Sequence, residues 1–502
     1  MISAGRLVST YRNSCLPSLR DVPPLIGTIL KESPYPTNMK STNRMTCLLT
    51  VLLLLLHIPA HAEDAAGDWV GQLNAGFKVR IHIARSSSAY TGYLTNPSGN
   101  RTDLDEVVSD GSNLHFAVTK LSLSYDGAWS AQENAWTGNV TFQQVYPLTL
   151  KRAIAADLAP ALHRRPQEAA IAAGPLPYGQ RNVVFDNAAT RNRLAGTLTI
   201  PQGTGPFPAI VLVSGTGHNT RDEDVWGHKV FVVLTDALSR RGFAVLRYDK
   251  RGVGGSTGDF DSATTADFAS DAEAAITWLR TQPGIDSTHV GILGHSEGGV
   301  IAPMVAASDK DVAFVVMIAG PALRGDKLFV LQSAMTAKAY GAPEDYIARR
   351  KVFDQKLYAA ILAAPSDASA QKPAEDIVAE GVKDKLVDQN EAKSLVHDDT
   401  TAWYRSFLAY DPTLTLGRLT VPVLAIYGSL DVQVPADEDS FAAIDALRNN
   451  PGAMVVVLPG KNHLMQQART GGPNEYNEIE ETMSLSALNL IANWAADLTE
   501  KK

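Results

Sequence analysis

Short apolar runs rich in β-branched residues recur through the second half of the chain, between stretches with a helical pattern of apolar and polar positions. These runs occupy residues 209–213, 289–293, 313–320, 421–427 and 453–459. Runs of this length that alternate with helices predict parallel strands with both faces buried. We therefore predict an α/β domain over residues 181–498, with a mostly parallel central sheet and helices on both sides.

The pattern is different over residues 66–152. Apolar and polar residues alternate there in short segments, such as 78–83 and 114–118, between turn-forming residues. Such alternation predicts a small antiparallel β-domain, either a barrel or a sandwich. We expect its tryptophans to fill the core or face the next domain rather than stack on a sugar; they are Trp69, Trp129 and Trp136. Ala, Pro and Gly dominate residues 153–180, which indicates a linker.

Residues 322–410 interrupt the α/β pattern. They are charged and patterned as helices, with no strand-like run. An insertion at this place predicts a helical cap over a site at the edge of the sheet. Four aromatic residues at its end are candidates for a substrate pocket, although packing of the cap on the domain explains them equally well; they are Trp403, Tyr404, Phe407 and Tyr410.

The N-terminal region has the features of a signal peptide. Residues 47–56 are apolar, Lys40 and Arg44 precede them, and an Ala-x-Ala sequence ending at Ala62 follows. We interpret residues 39–62 as the signal peptide, with cleavage after Ala62. The apolar run is too short to span a bilayer comfortably, so no stable membrane insertion is expected after cleavage.

These features predict a periplasmic or secreted protein whose translation starts at Met39. Residues 1–38 are Pro-rich and are interpreted as a non-structural upstream extension. A cytoplasmic protein, with the apolar run as a buried helix, remains the alternative.

Charge and cysteine content exclude several functions. The 502 residues are 45% hydrophobic, with a formal net charge of −8 and no run of Lys or Arg. Nucleic acid and anionic membrane surfaces are therefore not expected as partners. Both cysteines, Cys15 and Cys47, precede the cleavage site, so the mature chain would have no disulfide, no cysteine nucleophile and no thiolate metal site.

The strongest chemical motif is Gly294-His295-Ser296-Glu297-Gly298, which lies between a predicted strand and a predicted helix. A Gly-x-Ser-x-Gly sequence at such a junction is typical of a nucleophile elbow. The glycines permit a turn so sharp that the serine hydroxyl stands clear of the backbone at the edge of the sheet. Ser296 is therefore the candidate nucleophile.

A nucleophile elbow requires an acid and then a histidine further along the chain, each just after a strand. Asp431 follows the run 421–427, and His463 follows the run 453–459. His463 would accept the Ser296 proton and return it to the leaving group, and Asp431 would hold the imidazole tautomer. Asp249, at the end of an earlier strand, is the alternative acid.

Backbone N–H groups complete the expected site. The N–H of Glu297, directly after the nucleophile, is one expected donor to an oxyanion. The glycine-bracketed loop after residues 209–213 would supply the other from Thr216, with Gly217 as the alternative. Gly217 and His295 are also candidate pocket residues.

From about residue 181 to 498, the chain resembles bacterial α/β-hydrolase carboxylesterases of the serine-aminopeptidase-like or prolyl-oligopeptidase-like kind. It is similar, more distantly, to acyl-CoA thioesterases. The resemblance covers about two thirds of the chain, and the motifs that carry it are 214–217 with 221–223, 248–256, 294–299, 428–435 and 460–463. It implies an α/β-hydrolase fold with the helical cap inserted and the β-domain in front.

The resemblance and the motifs together predict an exported serine hydrolase that acts on small or short-acyl carboxylic esters. It would need neither a metal nor an organic cofactor, and its partner would be the small-molecule ester. Three alternatives remain: a serine aminopeptidase-like peptidase or amidase, an acyl-CoA thioesterase-like hydrolase, and a binding protein on an inactive hydrolase scaffold. The motifs do not determine acyl or alcohol specificity, and the oligomeric state is equally undetermined.

Overall fold

The computed structural model describes residues 63–72, 78–87, 89–95, 101–119, 123–142, 144–158, 164–387 and 389–499. These residues belong to one compact unit, Ala60–Lys502. The upstream extension (1–38), the signal peptide (39–62), the start at Met39 and the cleavage after Ala62 lie outside the described residues and stay predictions.

The first part of this unit is one antiparallel sheet of nine strands, in the spatial order β4-β3-β2-β1-β9-β8-β7-β6-β5. Alternate side chains face its core, as Ile81 and Ile83 do on β2. The strands are β1 (Gly67–Gln72), β2 (Lys78–Ser86), β3 (Ala89–Thr95), β4 (Arg101–Asp103), β5 (Glu106–Ser109), β6 (Asn113–Val118), β7 (Leu123–Ser130), β8 (Ala135–Phe142) and β9 (Gln144–Arg152). The small antiparallel β-domain predicted from the alternation is confirmed.

The tryptophans of this sheet pack on one another. Trp69 and Trp136 are fully buried, and the ring of Trp129 lies edge-on to both, with centroids 6.1 Å from Trp69 and 5.2 Å from Trp136. Edge-to-face packing at these distances adds to the stabilisation from buried area. The predicted core role is confirmed for Trp69 and Trp136.

The interval predicted as a linker contains two short helices, α1 (Ala155–Leu158) and α2 (Pro166–Ala173). Arg165, just before α2, donates to the carbonyls of Trp226 and Gly227 at 3.1 Å and to that of Ile479 at 3.1 Å. These contacts attach the segment to the α/β domain, which the composition of the interval did not indicate.

The second part is an eight-stranded sheet in the order β10-β11-β15-β12-β16-β17-β18-β19. β10 pairs with β11 and β11 with β15 in antiparallel register, and the other neighbours are parallel. The strands are β10 (Tyr178–Asn187), β11 (Asn192–Pro201), β12 (Phe207–Val213), β15 (Ala244–Tyr248), β16 (Ile285–His295), β17 (Val315–Ile318), β18 (Val423–Gly428) and β19 (Ala453–Leu458), with the separate ribbon β13 (Asp224–Val225) and β14 (His228–Lys229).

Helices cover both faces of this sheet. One apolar cluster joins α3 and α13 to the sheet, and a second joins α4, α5 and α12 to the opposite face. These helices are α3 (Val230–Arg240), α4 (Thr265–Arg280), α5 (Gly298–Ser308), α12 (Ala436–Ala446) and α13 (Leu485–Thr499). The mostly parallel sheet between two helical layers is the predicted α/β-hydrolase fold.

The predicted insertion is helical and lies between β17 and β18. It consists of α6 (Gly325–Ala339), α7 (Glu344–Ala363), α8 (Asp367–Lys383), α9 (Gln389–Asp399) and α10 (Ala402–Ala409), followed by α11 (Pro412–Leu416). Its helices share an apolar core that includes Phe353, Leu357 and Ile361. We call residues 322–410 the helical insertion. No helix among the described residues is both long and apolar enough to cross a membrane.

Candidate active site

The strand β16 and the helix α5 meet at a turn that presents Ser296. The φ of Ser296 is +55°, in the left-handed region that non-glycine residues rarely adopt. A Cβ on Gly294 would lie 1.8 Å from the Gly298 carbonyl oxygen, and one on Gly298 would lie 2.0 Å from the Val213 carbonyl oxygen. Only glycine fits at these two positions, so the strained turn that exposes Ser296 depends on both.

The loops after β18 and β19 bring an aspartate to a histidine. His463 Nδ1 lies 2.8 Å from Asp431 Oδ2, and both side chains are buried. Asp431 Oδ1 accepts the backbone N–H groups of Gln433 at 2.8 Å and Val434 at 2.9 Å. A carboxylate held in this way keeps the proton of a neutral imidazole on Nδ1 and leaves Nε2 as the acceptor. His463 and Ser296 line the same cavity, of about 260 Å³.

The alternative acid is engaged elsewhere. Asp249 accepts two hydrogen bonds from the Arg221 guanidinium, at 2.7 and 3.0 Å, and one from the Gly255 N–H at 2.9 Å. Burial alone would raise the pKa of Asp249, but these donors outweigh it and hold that pKa below its ordinary value. Of the two candidate acids, Asp431 is therefore the one that contacts His463.

The glycine-bracketed loop after β12 lies beside Ser296. Thr216 and Glu297 both line the cavity, and within the part of the chain that the structure describes no acceptor takes up either backbone N–H. Asn219 Nδ2 holds the loop by donating to the carbonyls of Gly215 at 2.8 Å and Thr216 at 3.0 Å. Among the described residues that line this cavity Gly217 is not found, so the geometry favours Thr216 over Gly217 as the second donor.

A second carboxylate–imidazole pair lies behind the first. His295 Nδ1 is 3.0 Å from Glu223 Oε1, and His295 Nε2 is 3.1 Å from the His463 carbonyl oxygen. Glu223 is fully buried and also accepts the Gly215 N–H at 2.6 Å. Burial disfavours the charged imidazolium, but the Glu223 carboxylate, together with the His463 carbonyl and the Asp431 carboxylate, outweighs burial and raises the pKa of His295. The pair thus connects the glycine-bracketed loop after β12, the turn at Ser296 and the loop of His463.

The Glu297 side chain connects the elbow to two other parts of the domain. Its carboxylate accepts from Lys250 Nζ at 3.0 Å, from Thr265 Oγ1 at 2.8 Å and from Trp403 Nε1 at 2.7 Å. Trp403 belongs to the helical insertion, so this buried carboxylate attaches the insertion directly next to Ser296. The sequence analysis considered only the backbone N–H of Glu297. The one sequence signal of a buried partner for its carboxylate is Lys250, two residues after β15.

The structure divides the four candidate pocket aromatics. Trp403 and Phe407 line the cavity of Ser296 and His463 together with His295, whereas Tyr404 lines a neighbouring cavity. Tyr410 lines neither; its hydroxyl lies 2.5 Å from Thr415 Oγ1, and its ring packs on the domain core. For Tyr410 the packing alternative is therefore correct.

Across the described residues, no cluster of three or more His, Cys, Asp or Glu has a geometry that fits a metal ion.

The Glu223–His295 pair gives a testable prediction. In Glu223→Gln, we expect kcat/KM for an ester to fall about 10- to 100-fold, the size of effect seen when partners that orient a functional imidazole are removed from metal sites. The pKa of His295 in the folded protein is raised above the ordinary histidine value, so its ion pair with Glu223 contributes its full stabilisation in acid. This contribution is lost as the pH rises through the raised pKa. The Tm advantage of the unaltered chain should therefore be largest near pH 6 and shrink toward pH 9.

The neighbouring residue supplies the control for this test. Asp222 lies on the same loop, but it pairs with Arg247 and Lys229 and does not contact the cavity. Asp222→Asn should therefore cost stability without the loss of kcat/KM. Equal activity of both variants would show that the buried pair has no positioning role.

The fold and the strand-end loops define an α/β-hydrolase. The profile of the X-Pro dipeptidyl-peptidase (S15) family matches residues 191–464, more than half of the chain, and the chain belongs to this family. The matched range contains Ser296, Asp431 and His463.

The chain is similar to two curated relatives and to one solved structure. It is 30% identical to esterase EstD of Thermotoga maritima over 276 residues, which are 55% of this chain and 59% of the relative. It is 30% identical to mouse acyl-coenzyme A thioesterase 3 over 128 residues, 26% of each chain. The chain thus spans less than two thirds of either relative. The α/β-hydrolase GrgF from Penicillium is 18% identical, with a TM-score of 0.41, over 64% of this chain and 100% of that one.

Proposed function

We propose that this protein is an exported serine hydrolase that cleaves small or short-acyl carboxylic esters through an acyl-enzyme. The observation that carries the proposal is the hydrogen-bonded pair Asp431–His463 in the cavity that Ser296 lines at the strained turn. A nucleophile next to a base that is itself oriented by a carboxylate is the arrangement of covalent acyl transfer. Export is inferred from the signal-peptide features of residues 39–62.

The proposed reaction has two steps. His463 Nε2 accepts the proton of Ser296 as the Oγ attacks the ester carbonyl, and the N–H groups of Glu297 and Thr216 stabilise the resulting oxyanion. The tetrahedral adduct then collapses, and the alcohol leaves with the proton from His463. In the second step His463 deprotonates a water molecule, which attacks the acyl carbon and releases the acid and free Ser296. Asp431 stabilises the imidazolium in both steps without taking its proton.

The preference for small esters is supported by the size and the walls of the catalytic cavity. Its volume of about 260 Å³ lies below the usual 300–1,000 Å³ of pockets for drug-sized ligands. Trp403 and Phe407 line it on the side of the helical insertion. A short acyl chain fits a cavity of this size, whereas a long one would extend beyond it.

A fluorophosphonate probe tests the proposal directly. We expect stoichiometric labelling of Ser296, located by mass spectrometry, and hydrolysis of p-nitrophenyl esters with kcat/KM highest for acetate to butyrate and falling with longer chains. Denatured protein is the control for labelling. Absence of labelling would favour the alternative of a binding protein on an inactive scaffold.

A peptidase is the second candidate, because the family to which the chain belongs is named for X-Pro dipeptidyl-peptidases. Peptide and ester cleavage use the same nucleophile and base, so the site geometry does not separate them. The p-nitroanilide and a matched ester of the same dipeptide, Ala-Pro, separate the two activities. A kcat/KM for the p-nitroanilide that exceeds the value for the matched ester would establish the peptidase.

A further inference from the structure

A second cavity adjoins the catalytic one. It has a volume of about 420 Å³, and the two cavities have Phe329, Gln332 and Trp403 in common. Ser296 lines only the catalytic cavity. A substrate with its carbonyl at Ser296 can therefore place a second group in this cavity, separated from the carbonyl by a spacer.

The lining of the second cavity is mainly aromatic. Seven of its twelve described lining residues are Phe, Tyr or Trp, and these come from both parts of the fold. The polar members include Gln332, Ser333, Thr336 and Arg350. An aromatic guest can stack on or pack edge-on to such rings, while its oxygen substituents reach the hydroxyl and amide groups.

Contacts among the rings hold them in place before any ligand binds. The centroid of Phe329 lies 4.9 Å from that of Tyr404 and 6.4 Å from that of Tyr358. The Tyr404 hydroxyl donates to the Tyr358 hydroxyl at 3.1 Å. A wall ordered in this way costs little conformational entropy on binding, which favours a rigid planar guest.

The size of the second cavity suits a substituted ring, and its polar side chains disfavour an alkyl chain. A cavity of about 150 Å³ holds benzene, so about 420 Å³ accommodates a substituted ring with part of its spacer. An alkyl chain would cover the Gln332 amide and the Tyr340 hydroxyl without offering either group a hydrogen-bond partner, and burying polar groups in this way is unfavourable.

We propose that this second cavity is a subsite for an oxygenated aromatic ring that is joined to the reacting ester by a short spacer. The substrate class is thus the arylalkyl ester, with the ring on either the acid or the alcohol. The proposal rests on the ester hydrolysis proposed above. It also gives the β-domain a role, because Tyr146 on β9 lines this cavity together with residues of the helical insertion.

Four esters test the proposal in the full chain. They are ethyl butanoate, ethyl benzoate, ethyl 3-(4-hydroxyphenyl)propanoate and 3-(4-hydroxyphenyl)propyl acetate. We expect one of the two spacer esters to exceed ethyl benzoate at least tenfold in kcat/KM, and the preferred one identifies whether the ring belongs to the acid or the alcohol. If neither spacer ester exceeds ethyl benzoate tenfold in kcat/KM, the subsite is refuted.

A cavity-filling variant locates the effect. Thr336→Trp on α6 should lower the kcat/KM ratio of the preferred spacer ester to ethyl butanoate at least tenfold. Lys338→Trp adds the same ring to the exposed side of the same helix and should keep the ratio of the unaltered chain. Tyr146→Ala tests the contribution of the β-domain to this cavity and should lower the ratio as well. An unchanged ratio in both Thr336→Trp and Tyr146→Ala refutes the proposal.

Binding without turnover separates this proposal from the function on which it rests. Calorimetry of the unaltered chain with the product 3-(4-hydroxyphenyl)propanoate or the corresponding propanol should show an affinity that Thr336→Trp weakens tenfold and Lys338→Trp leaves unchanged. Such binding with no hydrolysis of any ester would refute the hydrolase and retain the subsite. Hydrolysis with no effect of Thr336→Trp on either binding or the ratio would refute the subsite and retain the hydrolase.

Discussion

Replacing Ser296 with alanine is expected to abolish ester hydrolysis while the fold is retained. Removal of the nucleophile from a serine protease lowers kcat by about 10⁶-fold, and we expect a loss of that order. Serine and alanine carry the same Cβ, so the strain at φ +55° is unchanged. The Ser296 N–H still donates to the Ile318 carbonyl at 2.9 Å in the variant, because this bond uses only the backbone. The expected change in Tm is therefore small.

The measurement is hydrolysis of p-nitrophenyl acetate together with thermal unfolding. Ser308→Ala is a matched control, because Ser308 ends the same helix that begins beside Ser296 and its hydroxyl contacts Glu273 and the Val305 carbonyl. It should hydrolyse the ester as the unaltered chain does. If Ser296→Ala keeps more than background activity, the nucleophile has been assigned wrongly.

The parts of the site that depend on local spacing could be predicted from the sequence. A glycine two residues before and after Ser296 is required by the contacts of Gly294 and Gly298 with backbone atoms, and that requirement is visible as a motif. Likewise Asp431 and His463 each follow an apolar run directly. Because parallel strands end at one edge of a sheet, their order in the chain was sufficient to predict that they lie near each other.

The parts that depend on long-range contacts could not be predicted. Glu223 is 72 residues before His295, and Trp403 is 106 residues after Glu297, so no local pattern indicates either hydrogen bond. The strand order of the N-terminal sheet, in which β1 pairs with β9, depends on contacts of the same kind. Tyr410 belongs to the same short aromatic cluster as Trp403, and only the orientation of α10 and the turn after it separates a pocket residue from a packing residue.

Replacing Asp431 with asparagine is expected to lower kcat by about 10⁴-fold, as the equivalent change does in a serine protease. Asp431 Oδ1 accepts the N–H groups of Gln433 and Val434, and an asparagine oxygen can keep both bonds. The amide nitrogen then takes the place of Oδ2, 2.8 Å from His463 Nδ1. An N–H donor at that place forces the imidazole proton onto Nε2, which can no longer accept the proton of Ser296.

Asp249→Asn decides between the two candidate acids. Asp249 is bonded to Arg221 and Gly255, so its replacement should lower Tm but leave kcat within about tenfold of the unaltered chain, a limit far smaller than the loss caused by a wrong tautomer. Steady-state kinetics with p-nitrophenyl acetate and thermal unfolding of both variants give the two readouts. A 10⁴-fold loss in Asp249→Asn with near-normal kcat in Asp431→Asn would reverse the assignment. Loss of kcat without loss of stability in Asp431→Asn is the combination that a tautomer-holding carboxylate requires, because its backbone hydrogen bonds survive the substitution.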